Sequence, residues 1–304
     1  MAALAGGVVL PASASQLADQ SYRVNEGGRF VTAVTIDGQG PFSFVIDSAA
    51  SRTLLYEHAR ARLGLVRAQA DDLTVYGLNS VAKAMPVKPG VVTVAGEQIA
   101  GMTLGVLPDN AREEAGVDGV LGIDVLARYF VVLDRSTMRL TLLAPDSAAA
   151  APYRGWSATA LTPRTVKNAP VNFWYVQGMF QNWHFTSLFD LGAGFSLINW
   201  AAAEKLGVHQ SSIAKLQPPP AFLRDMLGTD EPVMKLVGVN IALDRLSWDK
   251  QAVVVANSDV FSHVNLDGEP AAILGAGLLQ NNSLAIDFAN HRLYIGPPEL
   301  PAKG

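Results

Sequence analysis

The sequence predicts a mainly β chain folded as two homologous β-barrel-like lobes with short helices, and two observations carry that prediction. The first is an internal duplication. Shifted by 143 positions, Asp47 to Leu65 lies without a gap on Asp190 to Val208, with six of 19 positions identical. The second is a grammar shared by the two halves: an apolar strand ends at an aspartate, a turn of small residues follows, and a short helix is then closed by glycine.

Taken in order, the first strand is Phe42 to Ile46 and its counterpart is His184 to Phe189, each running into an aspartate, Asp47 or Asp190. Alanine and glycine in the turns that follow let the backbone pass close to a partner. Helices are expected over Tyr56 to Leu63 and Trp200 to Leu206, ended by Gly64 and Gly207. A second block repeats with a shift of 153, pairing Gly119 to Leu142 with Ala272 to Ile295. The ten additional residues of the second half fall between its blocks, where the Pro-rich stretch Gln217 to Pro220 lies. Val91 to Val94, Val131 to Leu133 and Ala252 to Ala256 read as β-branched strands. The expected organisation is a tail over 1–20, a first lobe over 21–143, a small-residue, Pro-interrupted linker over 144–157 and a second lobe over 158–304.

Composition narrows the function classes. Charged residues make up only 16% and hydrophobic residues 49%, which places the chain among globular proteins rather than disordered ones. A net charge of -4, with scattered Lys and Arg, offers no basic field for nucleic acid. The absence of cysteine removes disulfide frameworks, thiol nucleophiles and thiolate metal sites. The apolar run Ala2 to Leu10, followed by Pro11 and Ala12-Ser13-Ala14, has the form of a secretory signal cleaved after Ala14, although no Lys or Arg precedes it. The expected location is therefore periplasmic or secreted. No later stretch approaches the roughly 18 uninterrupted apolar residues of a membrane span.

Two constellations carry chemistry: Asp47-Ser48-Ala49-Ala50-Ser51 with Val120-Leu121-Gly122, and Asp190-Leu191-Gly192-Ala193-Gly194 with Ile273-Leu274-Gly275. From about Gly28 to Gly296 the chain resembles the pepsin-like and retroviral-type aspartic proteases, with two retroviral-type lobes fused in tandem. The resemblance implies a bilobal acid-protease fold in which Asp47 and Asp190 meet at one catalytic site. It also implies supporting turns formed by Ser48, Ala49, Ala50 and Ser51 and by Leu191, Gly192 and Ala193, and a flap presenting Tyr76 and Gly77. Two carboxylates are required because peptide hydrolysis by water needs both a base and an acid, and a pair of close aspartates sharing one proton supplies both. Such chemistry needs no metal or organic cofactor. Two positions depart from the family pattern. Ala49 stands where glycine is usual, and Leu191 replaces one of the paired hydroxyls that brace the two turns.

Other motifs are weaker. Gly192 and Gly194 form a G-x-G, but position 197 is Leu where a dinucleotide fingerprint would place its third glycine. The five histidines, His58, His184, His209, His263 and His291, lack zinc-hydrolase spacing, and no G-x-S-x-G elbow exists. Asp134 and Asp287 repeat faithfully, each five residues before an arginine, and read as turn residues or local ion pairs. The expected activity is that of a monomeric aspartic endopeptidase acting on a peptide or protein. The alternatives are a protease-derived peptide-binding protein with weak or lost hydrolysis, and a processing factor that requires a partner.

Overall fold

The computed structural model describes residues 19–76, 81–109, 116–146, 148–166, 172–209, 211, 221–224, 230–256 and 259–298. They form a mainly β, bilobal architecture whose two lobes share one construction. In the first lobe, Phe30–Ile36 and Gln39–Ile46 form a hairpin. Its turn is Asp37-Gly38, both with positive φ (50° and 73°), the conformation a tight Asp-Gly hairpin turn requires. Gln39–Ile46 then pairs in parallel with Gly119–Leu121, which pairs antiparallel with Leu54–Tyr56. The sheet continues through Leu104–Leu107 and Val81–Val87 and ends at Leu73–Tyr76. The second lobe repeats the plan: Trp183–Asp190 pairs in parallel with Ala271–Gly275, which pairs antiparallel with Ser196–Ile198.

The lobes meet in a shared sheet ordered Ser157–Ala160, Arg292–Pro298, Asn282–Asp287, Phe130–Asp134, Arg139–Leu143 and Asp19–Val24. At its centre Phe130–Asp134 runs antiparallel to Asn282–Asp287, with Val132 opposite Ala285. Those two residues are each other's counterparts under the shift of 153, so the pseudo-twofold axis relating the lobes passes through this pair. The alternating strand Arg139–Leu143 shows why the sequence makes this layer: Leu140 and Leu142 are buried while their neighbours are not.

The repeated helices form over Glu57–Leu63 and Trp200–Lys205. Gly64 (φ 65°) caps the first in the left-handed conformation, and Gly207 (φ 83°) follows the second. Asn199 caps the second helix by accepting from the Ala202 N–H at 2.9 Å. The strands expected at Val91–Val94 and within Phe130–Asp134 are present. The third, Leu246–Val255, stops one residue short of the expected Ala256. Within the expected linker, Ala150 and Tyr153 pack against the shared sheet: Ala150 is buried, and the Tyr153 ring lies 5.5 Å from that of Phe130. Gln217 to Pro220 lies outside the described residues, as does the apolar N-terminal run. No helix among the described residues is long and apolar enough to cross a membrane.

Candidate active site

Each aspartate stands where a strand gives way to a turn, and the turn is closed by the aspartate itself. The Asp47 Oδ1 accepts from the N–H groups of Ala49 and Ala50, both at 2.8 Å. The Asp190 Oδ1 accepts from those of Gly192 at 2.8 Å and Ala193 at 3.1 Å. Small residues suit these turns because the next segment crosses directly above them. The Ile123 N–H donates to the Ala50 carbonyl, and the Ala276 N–H to that of Ala193, both at 2.8 Å. The hydrophobic-hydrophobic-Gly triplets have the same cause. A Cβ at Gly122 would come 2.5 Å from the Arg52 carbonyl carbon, and one at Gly275 would overlap the Phe195 carbonyl. Behind each turn a hydroxyl fixes the triplet, Thr53 accepting from the Gly122 N–H at 3.1 Å and Ser196 from that of Gly275 at 3.2 Å.

The two turns are joined across the lobes by Ser48. Its Oγ donates to the Phe189 carbonyl at 2.8 Å and accepts from the Leu191 N–H at 3.0 Å, and all three groups are buried. One hydroxyl thus binds the opposite turn on both sides of Asp190. Leu191, which has no hydroxyl to return the bond, buries its side chain fully in the main apolar cluster. The brace is half the symmetric one, and the missing half is replaced by packing.

Proximity of the carboxyls follows from two facts. A Cβ at Gly192 would overlap the Asp47 carboxylate, so the second-lobe turn lies directly against the first-lobe aspartate. Asp190 also feels the Asp47 charge. Burial, and next the Asp47 charge, push the Asp190 carboxyl up to about 8, against the Gly192 and Ala193 N–H groups and the Arg29 cation. Burial also raises Asp47, opposed by the N–H groups of Ala49 and Ala50 and by Arg29. Such a pair holds one proton between its members over a broad range of pH.

Ala49 does not distort this arrangement. It is absent from the positive-φ residues, and its methyl packs against a second-lobe cluster that includes Phe261, Val264 and Ile273. Ala50 packs instead against a first-lobe cluster, and Ser51 is half-buried at the end of the turn. Tyr76 ends the strand Leu73–Tyr76, paired with Val81, and its ring meets His263 of the second lobe at 4.8 Å. Gly77 lies outside the described residues. Asp134 and Asp287 serve turns: the first accepts from the Ser136 N–H and hydroxyl, the second from the Asn290 N–H and side-chain amide. Arg139 pairs with Asp19 instead of Asp134. Two residues carried no sequence signal: Arg29, in the turn before Phe30–Ile36, whose charge acts on both aspartates, and His263, which meets Tyr76.

Two lobes joined through one shared sheet, with mirrored aspartate turns between them, make a bilobal acid-protease fold, and the comparisons agree with it. Residues 32–125 match the family model described as aspartyl protease. The structure is similar to that of an aspartic proteinase from Irpex lacteus, with a TM-score of 0.55 and 14% identity, over 94% of this chain and 98% of that one. No curated protein matches the chain in sequence. The family match lies within the first lobe, and the structural likeness shows the aspartic-proteinase fold over both.

Proposed function

We propose that the chain is an aspartic endopeptidase whose single site is built from Asp47 and Asp190. The observation that carries this reading is the convergence of two mirrored aspartate turns: a Cβ at Gly192 would overlap the Asp47 carboxylate, and the Ser48 hydroxyl bonds the chain on both sides of Asp190. In the reaction, the ionised member of the pair takes a proton from water as the water oxygen bonds to the peptide carbon, and the protonated member gives its proton to the carbonyl oxygen. Collapse of the tetrahedral intermediate breaks the C–N bond as one hydroxyl proton returns to the dyad and the leaving nitrogen takes from the dyad the proton that came from water. The pair acts as a unit, so base and acid are roles of the dyad rather than fixed residues.

Both half-sites lie in one chain, which favours a monomer, and the signal-like Ala2 to Ala14 favours a substrate met outside the cytoplasm. The Tyr76 strand is the flap candidate. The test is digestion of a mixed peptide library from about pH 3 to 8, read by mass spectrometry, for wild type, Asp47→Asn and Asp190→Asn. Cleavage by wild type alone supports the proposal. Peptide binding without cleavage in all three would instead identify a protease-derived binding protein.

A further inference from the structure

The strand Leu73–Tyr76 is the last in its sheet, paired with Val81–Val87 on one side. An edge strand of four residues is weakly held by its own ladder. Its end also meets the second lobe. The Tyr76 ring lies against His263, at 4.8 Å between centroids and 55° between planes, and His263 ends the short second-lobe helix Val260–His263. Neighbours of both residues share apolar clusters with the aspartate turns. Val75 belongs to the cluster on which Ala50 packs, and Phe261 and Val264 to the cluster on which Ala49 and Ala193 pack. The His263 Nδ1 is buried without a hydrogen-bond partner among the described residues. A buried polar atom left unpaired opposes the state that buries it, whereas the ring contact favours that state.

We propose that His263 is a positioning residue for the reaction, holding the Tyr76 strand to the second lobe through its ring while its unpaired nitrogen keeps that hold reversible. The inference rests on the endopeptidase reading for its consequence but not for its test. Two substitutions separate ring from nitrogen: His263→Ala removes both, and His263→Phe keeps the ring and removes the unpaired atom.

Amide hydrogen exchange on the full chain reads the hold without catalysis. In His263→Ala, exchange over 73–76 and 81–87 is expected to rise about tenfold while the shared sheet around Val132 stays unchanged. In His263→Phe it is expected to be as slow as in wild type or slower. Adding His263→Ala to Tyr76→Ala is expected to change nothing further, since the partner is already gone. With a cleaved peptide in hand, His263→Ala raises KM several-fold more than it lowers kcat, and His263→Phe restores KM. Unchanged hairpin exchange in His263→Ala, or hairpin exchange in His263→Phe as fast as in His263→Ala, overturns the proposal. If His263→Ala loosens the whole chain, the His263→Phe result decides alone. Absence of turnover in wild type counts against the endopeptidase reading and leaves the exchange result standing.

Discussion

Replacing Asp190 by Asn is expected to stabilise the folded chain, and by an amount that grows with pH. The folded-state carboxyl is raised from 3.8 to about 8 by burial and by Asp47, so between those values the folded dyad holds a proton that the unfolded chain has released. Stability is therefore fully present below about pH 4 and is lost as pH rises towards about 8, at about 1.4 kcal/mol per pH unit for one proton. The introduced asparagine can still accept from the Gly192 and Ala193 N–H groups through its oxygen. Its amide is neutral, as the protonated acid is, but it has no proton to lose. The variant thus resembles protonated wild type at pH 4 and escapes the cost above it. Urea unfolding of both proteins is expected to show a gap near zero at pH 4 that widens by about 3 kcal/mol between pH 5 and 7. Asp47→Asn is expected to give a similar slope, because the proton belongs to the pair. A gap that stays constant from pH 5 to 7 would refute the shared-proton argument, whatever the activity of the protein.

Ser48→Ala leaves the buried Phe189 carbonyl and Leu191 N–H without their partner, so unfolding free energy is expected to fall by about 2–4 kcal/mol, with Ser48→Thr close to wild type. Ala49→Gly is expected to lower stability by about 1 kcal/mol and to leave the cleavage rate within about twofold, since the methyl already sits in an ordinary conformation. Leu191→Thr is expected to cost about 2–4 kcal/mol in urea unfolding without raising the rate, because it trades packed core for a buried hydroxyl. Gly192→Ala forces a methyl into the Asp47 carboxylate, and turnover of a defined peptide is expected to drop at least about a hundredfold with secondary structure retained by circular dichroism.

The fold was legible because duplication writes each structural demand twice. Strand, aspartate, small turn, helix and Gly-terminated triplet recur in order, and the structure gives each recurrence the same backbone bond, as in Ile123 to Ala50 and Ala276 to Ala193. What was not legible lies where the two copies have diverged. Beside the family pattern, Ala49 and Leu191 look like two defects. They are not, because equivalent positions no longer face equivalent surroundings. The tight approach to the opposite carboxylate falls on Gly192, where a Cβ is impossible, while the methyl of Ala49 is taken up by second-lobe side chains. Likewise the brace falls on Ser48, which bonds both sides of Asp190, and its counterpart Leu191 is released to fill the core. Contacts such as Tyr76 with His263 join residues 187 positions apart, and nothing in the sequence pairs them. The duplicated halves therefore carry one asymmetric site: steric exclusion lies on the second-lobe turn and the cross-lobe hydroxyl on the first. A substitution's effect cannot be transferred across the pseudo-twofold. The fourfold exchange Ser48→Leu, Ala49→Gly, Leu191→Ser and Gly192→Ala, which merely trades the turn residues between lobes, is expected to abolish turnover of a defined peptide, whereas a symmetric site would survive it.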